Sequence, residues 1–132
     1  MSMIVNRRDL DFVLYETLGL DKILESARYA DYDRESLDSM LDLCQTIAED
    51  QFLTCAPKLD ANEPQFVDGK VETISELKDA IAAYQEAGLC ASAYDADIGG
   101  LQLPWMADQA LNGMFICANN PAHIYLSLTQ GV

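Results

Sequence analysis

Lysine and arginine are missing from a long part of this sequence. Beyond Lys78 the only charged residues are Asp79, Glu86, Asp95, Asp97 and Asp108, and all eight basic residues lie at or before that point. A water-facing surface ordinarily mixes both signs of charge, so an apolar stretch without them predicts a face covered by protein. On that ground the segment 101–132 reads as an interface, and the chain as a piece of something larger. The scarcity of cations also excludes partners. Nucleic acid and anionic membranes both require clustered Lys and Arg, whereas the formal charge here is −14. The acids are spread along the chain rather than blocked together, which predicts a solvated outer face.

Other absences narrow the field further. No apolar run approaches the ~18–20 residues of a membrane span. Arg7-Arg8 is not a twin-arginine export signal, because Asp9 and Asp11 stand where the apolar stretch would begin. Cys44, Cys55, Cys90 and Cys117 are too far apart for a C-x-x-C pattern, and each has apolar or small neighbours. They read as buried core thiols in a reducing compartment, which makes the cytoplasm the expected location. Asp31, Asp33 and Glu35 alternate like the start of a calcium loop, but Ser36 and Asp42 occupy the places that need glycine and glutamate. They read instead as an N-cap cluster, and no metal site is expected. There is no P-loop, no strand before Gly99-Gly100, and no nucleophile beside His123, the only histidine. Residue chemistry alone gives no catalytic constellation.

What is present is helical. The chain has 132 residues, half of them hydrophobic, enough for one domain over 1–132 with its own core. Leu10, Val13, Leu14, Thr17 and Leu18 recur at helical spacing and Gly19 stops them. Asp21 is placed to cap a short helix that turns Ile23 and Leu24 inward. Asp33 opens the clearest helix, with the stripe Leu37, Met40, Leu41, Cys44, Ile47, Ala48 and Phe52, ending before Pro57. Residues 58–72 hold Pro64 and the Asp68-Gly69 turn, predicting a small hairpin-like excursion. Thr73 and Glu76 have capping-box spacing before Ile74, Leu77, Ile81 and Tyr84, with Gly88 at the end. After a loop, Pro104 precedes the stripe Ala107, Ala110, Leu111, Met114, Phe115 and Ala118, and Asn120-Pro121 starts a last helix. The fold class is therefore all-α, with five or six helices and a hairpin-like or irregular excursion.

Two stretches, taken together, carry a family likeness. Residues Ala82-Ala83-Tyr84-Gln85-Glu86-Ala87-Gly88-Leu89 are followed by Asp97-Ile98-Gly99-Gly100-Leu101-Gln102-Leu103-Pro104. This order resembles the helix, loop and Gly-Gly turn of the acyl-CoA dehydrogenase N-terminal domain. Phe12-Val13-Leu14-Tyr15-Glu16 with Leu18-Gly19-Leu20 resembles the leading segment of a large bacterial subgroup that includes 3-methylmercaptopropionyl-CoA dehydrogenases. Ala118-Asn119, Tyr125 and Leu128-Thr129 echo the same subgroup.

The resemblance implies the N-terminal helical domain of a flavoenzyme that carries out α,β-dehydrogenation of acyl-CoA thioesters. FAD, the catalytic glutamate and a β-domain would lie in other parts of the enzyme. No catalytic residue, flavin contact or activity is implied for this chain alone. The implied partners are the remaining domains of the same polypeptide, acyl-CoA and a homo-oligomeric assembly. Matching the segment after Pro121 places His123, Ile124 and Ser127 near the acyl tail, with Leu128 added one helical turn on. The same four could instead pack between domains. Two departures stand out. Gln102 replaces a frequent glycine, predicting a less strained or different turn, and Asn112-Gly113 replaces a commonly acidic pair. The competing readings are a stand-alone acidic helical interaction module, and a small subunit acting in trans with a flavoprotein chain.

Overall fold

Glycine and aspartate punctuate the first half of the chain. In the computed structural model, which describes residues 2–130, α1 (Arg7–Asp11) runs into a π-helical turn (Phe12–Thr17). Gly19, at φ +68°, then turns the chain into α2 (Leu20–Leu24). Leu14, Tyr15 and Leu20 are buried, and Ile23 and Leu24 pack at the core edge. Asp21 is not the cap. Gly19 has already made the turn, so Asp21 falls inside the first turn of α2. Gly131 and Val132, the end of the stretch read as an interface, lie outside the described residues, as does Met1.

Helix α3 (Arg34–Ile47) begins where Asp33 predicts. The Asp33 carboxylate accepts from the Ser36 amide at 2.8 Å, and the Ser36 hydroxyl accepts from the Asp33 amide at 2.9 Å. This reciprocal cap satisfies two N–H groups that a helix end leaves open. The helix does not stop before Pro57. It passes through a π-helical turn (Ala48–Leu53) into α4 (Thr54–Ala61), which contains Pro57. Pro57 sits in the first turn of α4, where the hydrogen-bond register has just changed from i−5 to i−4. A missing N–H costs least there. The wider turn also sets the spacing of the buried stripe, which steps by four residues twice running at Cys44, Ala48 and Phe52.

Strands β1 (Gln65–Val67) and β2 (Lys70–Glu72) form an antiparallel hairpin with Phe66 opposite Val71. Asp68 (φ +49°) and Gly69 (φ +79°) make the turn, as Asp-Gly predicts. The hairpin is narrower than the excursion expected over 58–72, because residues 58–61 finish α4. Helix α5 (Ser75–Glu86) buries Leu77, Ala80 and Tyr84, and Gly88 at φ +74° lets the chain leave it. The Thr73–Glu76 capping box does not form. Ile74 occupies the cap position, and Glu76 is drawn instead into an ion pair with Lys58 of α4.

The loop before the last helix needs glycine at two places, and the first is Gly99, which turns at φ +89°. A Cβ on Gly100 would collide with the Tyr94 backbone carbonyl. Gln102 is a different case, and of the two expected outcomes it overturns the less strained turn. It holds the left-handed conformation itself, at φ +53°, which costs a non-glycine residue about 1–2 kcal/mol. Its side chain offsets that by donating to the Arg28 carbonyl at 2.6 Å and accepting from the Ala96 amide at 3.3 Å.

Helix α6 (Trp105–Gln130) follows Pro104 and lies against α3 and the π-helical turn 48–53. It bends at Asn119 (φ −163°, ψ 86°), and the Asn119 side chain accepts from the Ala122 amide at 3.1 Å. The cap is thus one residue earlier than Asn120-Pro121 suggested, with Pro121 in the first turn of the second half. Phe52, Tyr84 and Phe115 meet at the centre. Phe115 stands edge-on to Phe52 at 4.9 Å and to Tyr84 at 4.8 Å between ring centroids.

Two stability measurements follow. Phe52→Ala should cost about 3–5 kcal/mol by urea unfolding, whereas Phe66→Ala on the exposed hairpin should stay within about 0.5 kcal/mol. Gly113 lies mid-helix with open space where a Cβ would go, so Gly113→Ala should raise stability by about 0.5–1 kcal/mol.

Candidate functional site

The two sides of α6 differ sharply in chemistry. Its inner side carries Ala107, Leu111, Met114, Phe115, Ala118, Ala122 and Leu126, all buried. Its outer side presents Trp105, Ile116, Ile124 and Leu128 to solvent, with Leu128 71% exposed, and Tyr125 stands exposed one step around the helix. Asp108 is the only charged residue of α6, and it is buried. The outer side therefore has no charge to hold water, which is unusual for a helix surface.

Between the stripes lies a connected set of buried polar groups. The Asn112 side-chain oxygen accepts from the Tyr84 hydroxyl at 3.1 Å and lies 3.0 Å from His123 Nε2. The Asn112 amide nitrogen donates to the Asp108 carbonyl at 3.0 Å. That assignment makes His123 Nε2 the protonated nitrogen of the ring. The Asp108 carboxylate accepts from the Ser92 hydroxyl and from Gln109 Nε2 at 3.0 Å. Further along, Asn119 donates to the Phe52 carbonyl at 3.1 Å and approaches the Cys55 sulfur at 3.5 Å. This bond ties the bend of α6 to the π-helical turn.

The four residues expected near an acyl tail do not share one surface. Ile124 and Leu128 stand together on the outer side, one helical turn apart, with Ser127 half-buried at its margin. His123 is 2% exposed, stacked 6.2 Å from Phe115 and edge-on to Tyr84 at 6.1 Å. Burial lowers its pKa from the ordinary 6.5, and the Asp108 charge opposes that shift. Sequence reasoning did not find the partners that hold His123. The sequence marks Asn112 only as a departure from the family pattern, and Tyr84 as part of an apolar stripe and of the stretch that carries the likeness.

The cysteines separate in the same way. Cys44 and Cys55 are buried, and burial pushes Cys44 up to about 12. Cys90 is half-buried. Cys117 is exposed, contrary to the expectation of a core thiol, because it falls off the buried stripe of α6 and borders the bend. All four are unpaired thiols. The Asp33 carboxylate is taken up by its cap, and no group of three possible metal ligands occurs among the described residues.

The Gly-Gly loop does not fit a flavin pyrophosphate. The amides of Gly99, Gly100, Leu101 and Gln102 already donate to the carbonyls of Ala96, Asp95, Ala91 and Tyr94. No N–H among these four is left to cradle a phosphate, and no cation follows Lys78 in sequence. Among the described residues no helix is long and apolar enough to cross a membrane.

No protein-family model matches the chain. The chain is 30% identical over 123 residues to the broad-specificity linear acyl-CoA dehydrogenase FadE5 of Mycobacterium tuberculosis. The match takes in 91% of this chain and 20% of that protein, so the chain spans about a fifth of the relative's length. This similarity supports a relationship to the acyl-CoA dehydrogenase family. It does not single out the bacterial subgroup.

His123 supplies a pH test. Its folded-state pKa is lowered, so between that value and 6.5 the unfolded chain binds more protons. The contribution of neutral His123 is therefore complete above 6.5 and lost as pH falls. The urea midpoint of the wild type should exceed that of His123→Gln at pH ~7, and the gap should narrow towards pH ~5.5. A gap that stays constant over that range would contradict the assignment.

Proposed function

We propose that this chain is the N-terminal helical domain of an FAD-dependent acyl-CoA dehydrogenase, of the bacterial subgroup that its leading segment resembles. In this reading the outer side of α6 packs against the rest of the enzyme. Ile124, Ser127 and Leu128 contribute to the wall of the acyl-tail pocket, and His123 backs that wall from inside. The observation that carries the reading is the uncharged outer side of α6. An apolar thioester tail is recognised by apolar wall and by exclusion of water, and a helix with no charged residue beyond a buried Asp108 suits that task.

Bound FAD would supply the hydride acceptor, but it would be held by other parts of the enzyme, since the loop amides here are already committed. What these residues contribute is shape. Ile124 and Leu128 would set how long a tail is accommodated, and the Ser127 hydroxyl would influence tolerance of a polar tail. The chain alone would be inactive. The enzyme would be homo-oligomeric and cytoplasmic, like many enzymes of fatty acid metabolism.

A second reading is kept by the same observation. An acidic helical module, or a small subunit completing a flavoprotein in trans, would also present an uncharged face for a partner to cover.

The native protein that carries this chain tests both. It should show flavin absorbance and reduce an electron-accepting dye with palmitoyl-CoA and butyryl-CoA. Ile124→Trp should raise KM for the long substrate at least about tenfold while changing the short one little. Absence of flavin from the native protein and its tight complexes would leave the interaction module standing. Equal effects on both substrates would assign the residue to domain packing.

A further inference from the structure

The bend of α6 leaves a wedge-shaped groove beside α4 that the acyl-tail reading does not use. It has a volume of about 480 Å³, with Ala56, Leu59 and Pro64 on one wall and Ala118, Pro121 and Tyr125 on the other. That is the size of sites that admit sizeable apolar groups. Asn119 holds the wedge open, because its side chain is bonded at once to the Phe52 carbonyl and the Ala122 amide. The groove is thus anchored to the core rather than formed by loose side chains.

The rim decides what could enter. Asp60 and Glu63 border the groove, and neither carboxylate has a hydrogen bond or ion pair among the described residues. Both also border a neighbouring hollow of about 610 Å³, which adds Glu72. The nearest cation in sequence, Lys58, is committed to Glu76. An apolar floor with an uncompensated acidic rim matches an apolar side chain flanked by cations. A second copy of this chain, at −14, would bring the wrong charge, and so would anionic lipid or nucleic acid.

We propose that the groove between the end of α4 and the bend of α6 docks a basic, apolar-tipped segment of a partner polypeptide. The segment inserts a leucine-sized or aromatic side chain between Leu59 and Tyr125 and sets Lys or Arg against Asp60 and Glu63. The proposal does not rest on the dehydrogenase reading, since it uses only the shape and charge of this face. Opposite potentials across such a surface speed encounter and discriminate between partners.

The test uses synthetic hexapeptides of alternating leucine and lysine, leucine and glutamate, and serine and lysine, titrated into the 15N-labelled chain. The leucine–lysine peptide should shift the amides of Ala56, Leu59, Cys117 and Tyr125, and the other two should not. The double variant Asp60→Lys/Glu63→Lys should weaken it at least about tenfold. A charge-matched reversal elsewhere, Glu16→Lys/Glu25→Lys, should weaken it much less. Ala56→Trp, which fills the floor, should also reduce binding. Equal losses from the two charge reversals, or shifts spread over all acidic helices with the serine–lysine peptide, would overturn the proposal. So would binding of the leucine–glutamate peptide at the same amides.

Discussion

Three rings from three helical segments hold this domain together. Phe52 comes from the π-helical turn after α3, Tyr84 from α5 and Phe115 from α6, and Phe115 meets both of the others edge-to-face, which ties the three segments together. Phe52 reaches the centre because the wider turn delays the buried stripe by one residue. Its carbonyl accepts from Asn119. The same turn thus fixes both the core and the bend of α6. Every feature with functional potential lies downstream of that junction: the outer apolar side, the buried histidine and the groove at the bend.

The buried polar groups follow from the same packing. Once Tyr84 and Phe115 are side by side, the space next to them closes over Asn112, His123 and Asp108, and each must find a partner or pay for desolvation. They find one another. Asn112 is the hinge of the set, because its oxygen serves Tyr84 and His123 while its nitrogen serves the Asp108 carbonyl. An acidic residue at that position, common in the resembled family, would put a second carboxylate close to Asp108. The departure at Asn112 is therefore compatible with a neutral histidine, and in the proposed reading His123 would act through position rather than exposure.

Much of this was legible in the sequence, and the failures have physical causes. Apolar periodicity located the buried stripes because burial is what periodicity encodes, and Gly19, Gly88 and the Asp68-Gly69 turn announced their positive φ values. The π-helical turns left no such mark. A change of hydrogen-bond register alters the stripe by a single residue, so Pro57 reads as a stop in the sequence. Cap spacing misled where a stronger partner competed, as Lys58 did for Glu76. At Gln102 the backbone kept a glycine-like conformation that side-chain bonds offset, which no single-position rule anticipates. In the candidate site, the sequence showed which segment is apolar. It could not separate His123 from Ile124, because adjacent residues on a helix point about 100° apart and the bend at Asn119 resets the phase.

That phase shift lets one helix half present two distinct surfaces. Ile124 and Leu128 fall on one line of α6, while Tyr125 lies a full 100° step around the helix, facing Ala56 and Leu59 across the groove. A wall for an acyl tail and a dock for a basic segment are thus compatible, because they use different lines of the same turn. They differ in what they ask of charge. The tail wall needs only the absence of ions, which α6 supplies, whereas the groove needs acids held without partners, which α4 and the chain after it supply at Asp60 and Glu63. The lack of lysine and arginine beyond Lys78 would serve both. Cations there would hydrate the first surface and neutralise the second.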